Sequence, residues 1–327
     1  MPLLENLELQ VAGRFDDYSD FGNTTNPKVA ARWDINEMIA VRGSWGQGFR
    51  APSLAQIGLG PSQESLFFAD TFGCAVNPAY CATTDYTVIF SGNPDLEAEE
   101  SETFNFGVSI SPMEGLQVSL DYWDITQEKK IDDVPFGFLY NSFCNNQNST
   151  VCVRGTPQPG EALGPLQSVS TSFINIGEQS ATGIDLSASY TADVGAGTLG
   201  LNLYYAYLMD FDRVELDSSG ANFVTRSLAG EYEYPESRWS LGGTYTLGDW
   251  AFASQLDYVG EFEDTPDIDF DGVLDYDTNV SRTVDSYLTV NAQVSYSGFE
   301  NTRLMFGVDN LFDEEPPFAI GDGDSDL

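Results

Sequence analysis

The sequence has no histidine, and it has only 13 lysine and arginine residues against 51 aspartate and glutamate residues. Without histidine, Ser-His-Asp and Cys-His catalysis and histidine-ligated metal sites are excluded. The formal net charge of −38 argues against nucleic acid as a partner, because phosphate binding requires a basic surface. No two carboxylates stand out as the acid and base of a glycosidase, so we do not expect an enzyme.

Long apolar runs are also missing. No segment approaches the roughly 20 apolar residues that a membrane-spanning helix requires, although 42% of the 327 residues are hydrophobic. A membrane location stays open, because the strands of transmembrane β-barrels alternate apolar and polar residues. The first residues lack the basic region and apolar core of a signal peptide, and alternation begins at Leu7. We therefore expect a segment that begins within a larger β-structure.

Cysteine is scarce, and the four residues form two close pairs, Cys74 with Cys81 and Cys144 with Cys152. Four cysteines allow three disulfide connectivities, of which proximity favours the local one. The spacings are not those of zinc ligands, and local disulfides indicate an oxidising compartment. Each disulfide would stabilise its own loop by about 2–3 kcal/mol at most.

The dominant pattern is period-two alternation, which predicts strands with one apolar and one polar face. In one segment Leu199, Leu201 and Leu203 alternate with Gly200 and Asn202. We count about eleven such strands and no amphipathic helix. Short turns alternate with long polar loops along the chain, as they do in outer-membrane β-barrels. The long loops lie near residues 50–101, 127–173, 211–236 and 262–285.

Three segments resemble sequence signatures of the TonB-dependent outer-membrane receptors. The first is RGSWGQGFRAPSL at residues 42–54, a strand exit, and the second is NPDLEAEESE at residues 93–102, a strand entry. The third is GVDNLFD at residues 307–313, and the three follow the order found in that family. The motif residues are Gly48, Phe49, Arg50, Ala51, Pro52, Ser53, Asn93, Pro94, Asp95, Leu96, Asn310, Leu311, Phe312 and Asp313.

The resemblance implies an all-β fold, an antiparallel transmembrane β-barrel with long extracellular loops. Residues 1–327 would be the C-terminal portion of the barrel domain, with roughly half the strands of a larger plugged barrel. The plug domain and the last strand would lie outside this chain. In this family the three motifs shape the barrel and its loops, so the ligand-binding residues stay unknown.

The resemblance also implies a receptor in the bacterial cell outer membrane that takes up a scarce nutrient with TonB-coupled energy. The nutrient would belong to the siderophore-iron, cobalamin or oligosaccharide class. The expected partners are this small-molecule ligand, outer-membrane lipid, and the TonB complex, which would act through an N-terminal region absent from this chain. Two alternatives stay open. One is a passive porin-like channel or surface adhesin built on the same barrel, and the other is a secreted calcium-dependent β-sandwich binding protein.

The segment DIDFDGVLD, at residues 267–275, resembles the start of a calcium-binding loop. Asp267, Asp269 and Asp271 occupy the first, third and fifth positions, a glycine follows, and Asp275 occupies the ninth position. The twelfth position holds Thr278 instead of the bidentate glutamate of such loops. A structural Ca²⁺ and a solvated acidic loop therefore both stay open, and we expect no other cofactor.

Aromatic residues fall into two groups. Those near strand ends are expected to form interfacial girdles, and those in the long loops either contact a ligand or pack the loops. The strand-end group is Tyr122, Trp123, Tyr205, Tyr207, Trp239, Trp250 and Tyr258. The loop group is Phe67, Phe68, Tyr80, Tyr86, Phe138, Tyr140 and Phe143. Polar residues on the opposite strand face are expected to line a wet interior; they include Asn105, Asp121, Gln255, Asp257, Asn291 and Gln293.

Overall fold

The structure is a computed structural model that describes residues 6–19, 22–216, 222–264 and 281–319. Most of these residues belong to β-strands. The strands are β1 (Leu7–Tyr18), β2 (Gly22–Asp34), β3 (Ile39–Arg50), β4 (Ser62–Phe68), β5 (Thr84–Ser91), β6 (Glu99–Met113), β7 (Leu116–Asp133), β8 (Cys152–Arg154), β9 (Leu166–Val194), β10 (Gly197–Leu216), β11 (Phe223–Ser227), β12 (Ser237–Leu247), β13 (Trp250–Val259), β14 (Phe262–Asp264), β15 (Arg282–Val284), β16 (Tyr287–Phe299) and β17 (Thr302–Val308).

Eleven long strands form one antiparallel sheet, here called the wall. Their order is β1-β2-β3-β6-β7-β9-β10-β12-β13-β16-β17, so each long strand pairs with the next long strand along the chain. Within the described residues the wall is open, since β1 and β17 each pair with a single neighbour. The eleven predicted strands are confirmed. The β-sandwich alternative is wrong for this part of the chain, because a sandwich requires two packed sheets.

The long connections contain structure that the alternation pattern does not predict. Six short strands lie in them: β4, β5, β8 and β11 extend the wall, and β14 pairs with β15. Three short helices also occur, α1 (Leu54–Gly58), α2 (Thr71–Val76) and α3 (Phe136–Phe143), with a 3₁₀ turn at Pro78–Tyr80. The alternation pattern predicts none of these helices, of which α3 buries Leu139 and Tyr140. An eight-residue helix has too few turns to show a clear period.

Among the described residues, no helix combines the length and the hydropathy required to span a membrane.

The strand register makes one face of the wall continuously apolar. Leu241 lies opposite Leu203 on β10 and Leu256 on β13, and Leu256 lies opposite Val290 on β16. Directly opposed residues point to the same side of a sheet. Side chains on this face are exposed; for example, Phe306 on the edge strand β17 is 68% exposed. An apolar area this extended is expected to contact lipid rather than water.

Aromatic side chains lie at two levels of this apolar face. The ring of Trp239 stacks on Tyr258 at 5.2 Å between centroids, and the ring of Trp250 lies 4.6 Å from that of Tyr296 near the opposite strand ends. Two such levels are expected of interfacial girdles. The prediction is wrong for Trp123, which pairs with Asn105 and therefore lies on the polar face.

Five short turns lie at one end of the wall, and the long connections lie at the other, together with the short β1–β2 connection. Four of the five turns contain a residue with a positive φ, namely Gly115, Gly195, Gly248 and Asn301. At Gly115, φ is +79° and a Cβ atom would lie 2.0 Å from the carbonyl oxygen of Thr191, so only glycine fits. The turns span residues 35–38, 114–115, 195–196, 248–249 and 300–301.

Substitutions at adjacent positions of β16 test the assignment of the two faces. Val290 lies on the apolar face and Thr289, opposite Asp257, lies on the polar face. We expect Val290→Arg to lower the free energy of unfolding from a bilayer by about 2–4 kcal/mol, and Thr289→Arg to have a much smaller effect. Urea titration of the protein folded into lipid vesicles measures both. Equal effects of the two variants would contradict the assignment.

Candidate functional site

The end of the wall that carries the long connections also holds the sequence motifs. Gly48, Phe49 and Arg50 end β3. After Ala51 and the buried Pro52, Ser53 begins helix α1. The Ser53 hydroxyl accepts from the backbone N–H of Gln56 at 3.2 Å, and the Gln56 side chain accepts from the backbone N–H of Ser53 at 2.8 Å. This capping box turns the chain sharply from a strand into a helix.

The second motif closes the same long connection. The Asn93 side chain accepts from the backbone N–H of Asp95 at 3.0 Å and donates to the carbonyl oxygen of Phe173 on β9 at 2.9 Å. The backbone N–H of Asn93 donates to the carbonyl oxygen of Gln56, which brings the two motifs together. Pro94 follows in the turn, and Leu96 is buried. Asn93 thus fixes where the chain re-enters the wall.

A charged contact joins the two motifs directly. The Arg50 Nε atom lies 2.5 Å from Glu99 Oε2, and the two side chains form a two-point ion pair. Glu99 is only 1% exposed, and it also accepts from the Gln127 side chain at 2.9 Å and the Ile131 backbone N–H at 2.7 Å. Glu99 therefore connects β3, β6 and β7. Arg50 lies in the first motif segment and Glu99 in the second, but neither segment indicates that the two side chains pair.

The third motif follows β17. Asn310 has a φ of 49°, a left-handed conformation that asparagine tolerates well. Its backbone N–H donates to the Asn291 side chain at 2.8 Å, and its side-chain amide donates to the carbonyl oxygen of Glu314 at 2.9 Å. Leu311 and Phe312 are exposed, and Asp313 completes the turn by donating to the Asn310 carbonyl oxygen. The motif shapes a turn and contacts no other described motif.

Two long connections fold together beyond the strand ends, forming what is here called the outer-loop cluster, residues 51–98 and 134–165. Its core includes the ring of Phe68, which lies 4.5 Å from Tyr86 and 5.5 Å from Tyr140. These three loop aromatics therefore pack against one another within the cluster. The buried members of the core, with adjoining residues of β9, are Tyr86, Val134, Leu139, Tyr140, Cys144, Cys152, Leu166 and Val169.

Both disulfides lie in the outer-loop cluster, with the local pairing that proximity favours. Cys74 is bonded to Cys81, and Cys144 is bonded to Cys152. The second bond is completely buried in the aromatic core, whereas Cys81 is exposed. Each disulfide closes a small loop, so the contribution of each is local.

A buried ion pair links the two connections. Arg154 donates to both carboxylate oxygens of Asp70 at 2.7 and 2.8 Å, and both side chains are 0% exposed. Asp70 also accepts from the Tyr140 hydroxyl at 2.8 Å and caps α2 through the Gly73 N–H at 3.0 Å. Arg154 donates further to the carbonyl oxygens of Cys144 and Gly164. A buried pair is stable only when hydrogen bonds satisfy its remaining groups, and here they do.

The titration of Asp70 reflects the same contacts. Burial by itself raises the pKa of the carboxyl group, but hydrogen bonds from Arg154, Gly73 and Tyr140 outweigh it, so the pKa lies below its usual value. Burial likewise raises the pKa of the Tyr140 hydroxyl. The Asp70 carboxyl group is therefore charged, and the Tyr140 hydroxyl is neutral, at neutral pH.

The polar face of the wall carries a second charged group. Arg42 on β3 contacts Asp121 on β7 at 2.5 and 2.9 Å and donates to the hydroxyls of Ser109 and Ser119. The intervening strand has Gly107 at this point, where a Cβ atom would lie 1.9 Å from Asp121. Because Gly107 has no side chain, there is room for the Arg42–Asp121 ion pair across this strand.

Trp123 lies next to this pair on the polar face. It packs over Gly183, where a Cβ atom would lie only 2.4 Å from the indole ring. A depression of about 550 Å³ is lined by Lys28, Arg42, Asp121 and Trp123, among others. The alternation pattern predicts that Asp121 faces inward. Trp123 has the same parity as Asp121, because both are adjacent to Tyr122 on the apolar face, and this parity indicates the polar face for Trp123 as well.

The four aspartates of the predicted calcium loop, Asp267, Asp269, Asp271 and Asp275, lie outside the described residues. The two ends of their loop are joined by pairing of Asp264 with Arg282. Within residues 6–19, 22–216, 222–264 and 281–319, no group of three or more acidic or cysteine side chains is arranged to hold a metal ion.

Comparison with known proteins gives a family match over nearly the whole chain. A family model described as TonB dependent receptor-like, beta-barrel matches residues 1–311. The vitamin B12 transporter BtuB of Vibrio cholerae is 23% identical over 315 residues, covering 96% of this chain and 37% of that protein. The iron-regulated outer membrane virulence protein of the same species is 24% identical over 321 residues, covering 97% and 40%. The chain thus spans less than half the length of these relatives.

Solved structures show the same fold. The siderophore receptor PirA from Acinetobacter baumannii has a TM-score of 0.61 at 17% identity, covering 97% of this chain and 43% of that one. A mutant of the ferric enterobactin receptor PfeA from Pseudomonas aeruginosa has a TM-score of 0.60 at 17% identity, covering 95% and 38%. These matches confirm the resemblance that the three motifs indicate.

The role of the buried ion pair can be tested by removing its cation. Arg154→Met leaves the Asp70 carboxylate buried without a partner, which we expect to destabilise the outer-loop cluster by about 3–5 kcal/mol. Lys130→Met, which removes an exposed pair with Asp132, should cost less than about 1 kcal/mol. Hydrogen exchange of α2 and α3 in the detergent-solubilised protein measures both effects. Similar protection in the two variants would contradict the linking role.

The pH dependence provides a second check of the same pair. Because the fold lowers the pKa of Asp70, its contribution is present above the unfolded pKa of about 4 and is lost as the pH falls through the folded value. After correction for intrinsic exchange, protection of α2 and α3 should stay constant from about pH 8 to 5 and decrease only below about pH 4. Asp70→Asn should remove this acid-dependent step.

Proposed function

Because the chain belongs to the TonB-dependent receptor β-barrel family, we propose that it forms part of the wall and outer loops of a receptor that imports a scarce nutrient with TonB-coupled energy. Its relatives are outer-membrane transporters and receptors, not enzymes. The chain is accordingly an outer-membrane protein. The TonB complex is the energy-coupling partner of the proposed receptor.

One observation carries the proposal: the folded loops lie at a single end of a wall that has one apolar and one polar face. The apolar face meets lipid, and the polar face, with Arg42, Asp121 and Trp123, borders the interior. The outer-loop cluster stands over the same end of the wall and is held by the Asp70–Arg154 pair. A preorganised loop cluster reduces the entropy that ligand capture would cost.

The ligand classes that fit are siderophore-bound iron and cobalamin, which the names of the relatives mention, with oligosaccharides as a third class. Charge gives a further restriction. At the outer strand ends Arg50, Lys129, Lys130 and Arg154 each pair with a carboxylate. These paired cations favour a ligand that is not a small bare anion.

Uptake measurements distinguish this function from the alternatives. Cells with the intact receptor gene, with the gene deleted, and with TonB disrupted are supplied with radiolabelled cobalamin or with ⁵⁵Fe on a panel of siderophores. We expect accumulation of one ligand to require both the receptor and TonB and to stop when the proton gradient is dissipated. Accumulation that persists without energy would indicate a passive channel, and cell adhesion without uptake would indicate an adhesin.

A matched pair of variants separates ligand capture from general damage. Arg154→Met loosens the outer-loop cluster and is expected to raise the ligand concentration for half-maximal uptake at least several-fold. Lys130→Met, in the same region but exposed, should leave this concentration unchanged. Equal uptake by both variants would show that the cluster takes no part in capture.

We also propose that residues 267–275 bind a structural Ca²⁺. The support is the spacing of Asp267, Asp269, Asp271 and Asp275 and the β14–β15 pairing that closes the loop. Calorimetric titration of the intact receptor with CaCl₂ should show one site that is lost in Asp269→Asn and kept in Asp285→Asn. Absence of binding heat in the unaltered receptor would leave a solvated acidic loop as the answer.

A further inference from the structure

We propose that the free edge of β4 binds an extended, positively charged polypeptide segment, which adds to the outer sheet as a further strand. This interaction goes beyond nutrient import, because it uses a surface of the loops and a partner that is not a small molecule.

The edge is well defined by strand pairing. β4 pairs with β5 over all seven residues, from Ser62 opposite Phe90 to Phe68 opposite Thr84, without a register shift. β5 pairs on its other side with β9, where Val88 lies opposite Val169. In the described part of the chain β4 has no second strand partner. Its outer row of N–H and C=O groups is therefore a template for one more strand.

Apart from one charged residue, Glu64, β4 lacks the features by which edge strands normally avoid such pairing. Its sequence, SQESLFF, has no lysine, arginine or proline, and lysine, proline and bulges are the usual protective devices. Phe67 is 66% exposed and Leu66 is 37% exposed. The other short strands of the long connections differ, because β8, β14 and β15 have only three residues each and β11 contains Arg226.

The position of β4 is fixed before any partner arrives. The Phe68 ring at its end packs against Tyr86 and Tyr140 in the aromatic core of the outer-loop cluster. Through β5 the strand is attached to β9, which continues into the wall. A preformed edge saves the ordering cost that usually weakens the binding of extended peptides.

Charge identifies the class of occupant. The chain has a net charge of −38, so pairing with a second copy brings two strongly negative surfaces together and is unfavourable. The only charged residue on β4 is Glu64, and Asp85 is exposed on β5 opposite Phe67. A cationic segment is complementary to the Glu64 carboxylate, and Asp85, on the face that carries Phe67, adds to the local negative charge.

Alternation along β4 predicts the pattern of the segment. Glu64 and Leu66 lie on one face of the strand, and Ser65 and Phe67 lie on the other. Cross-strand neighbours on one face interact most strongly. The partner therefore places a lysine or arginine opposite Glu64 and an apolar residue two positions away, opposite Leu66.

Synthetic peptides test this binding mode. The probe is a capped hexapeptide of threonine that carries lysine and valine two positions apart, made in both sequence orders. Two matched peptides serve as controls, one with glutamate in place of lysine and one with N-methyl groups at alternate positions, which cannot form strand hydrogen bonds. Each is titrated into the intact receptor in detergent, with hydrogen exchange followed at β4.

We expect the lysine peptide to bind and to raise the exchange protection of alternate β4 amides at least tenfold, whereas both control peptides do neither. Glu64→Lys should weaken binding by about three- to tenfold, and Asp133→Lys, a charge reversal of equal size away from β4, should not. Phe67→Ser should also weaken binding while protection of α3 shows that the cluster stays folded.

Three results would overturn the proposal. The first is binding without any change at β4, and the second is equal binding of the N-methylated peptide, which would mean a purely electrostatic contact. The third is concentration-dependent self-association that is lost in Phe67→Ser, which would make a second copy of the chain the occupant of the edge.

Discussion

The hydrogen-bond pairing of the wall is the constraint on which the rest of the structure depends. Inside a lipid layer every backbone N–H and C=O must find a partner within the protein. Nine of the eleven strands meet this requirement on both sides by pairing with two neighbours, and within the described residues β1 and β17 each pair on one side. Once the ladder is in register, residue parity decides which side chain meets lipid and which faces the interior. The apolar face through Leu203, Leu241 and Leu256 and the polar face through Arg42 and Asp121 both follow from it.

Parity also explains how much the sequence reveals. Strands such as β10 and β16 are recognisable because alternation persists over a dozen residues and the turns contain glycine or asparagine. Trp123 departs from the expected girdle because its parity places it on the polar face, opposite Asn105. The short strands and helices of the outer loops cannot be predicted from the alternation pattern, because segments of three to eight residues show no measurable period.

Contacts between distant segments lie beyond sequence reasoning for a different reason. Arg50 and Glu99 belong to recognisable motifs, yet nothing in either motif indicates that their side chains meet. Asp70 and Arg154 are 84 residues apart and carry no motif. Their pairing depends on how two loops pack on Tyr140 and the Cys144–Cys152 disulfide. Such a buried pair adds more to the uniqueness of the loop arrangement than to its stability, because desolvation offsets much of the attraction.

β9 gives the molecule a mechanical property. Its 29 residues run without interruption from the outer-loop cluster to the turn at residues 195–196, a length of roughly 95 Å at about 3.3 Å per residue. The strand carries β5 and β8 at its upper part and β7 and β10 along the wall. It therefore joins the outer-loop cluster to the opposite rim through a single backbone segment, whose pairing with β7 shifts register near Gly177. A displacement of the outer loops is transmitted along this segment unless its hydrogen bonds with the neighbouring strands break.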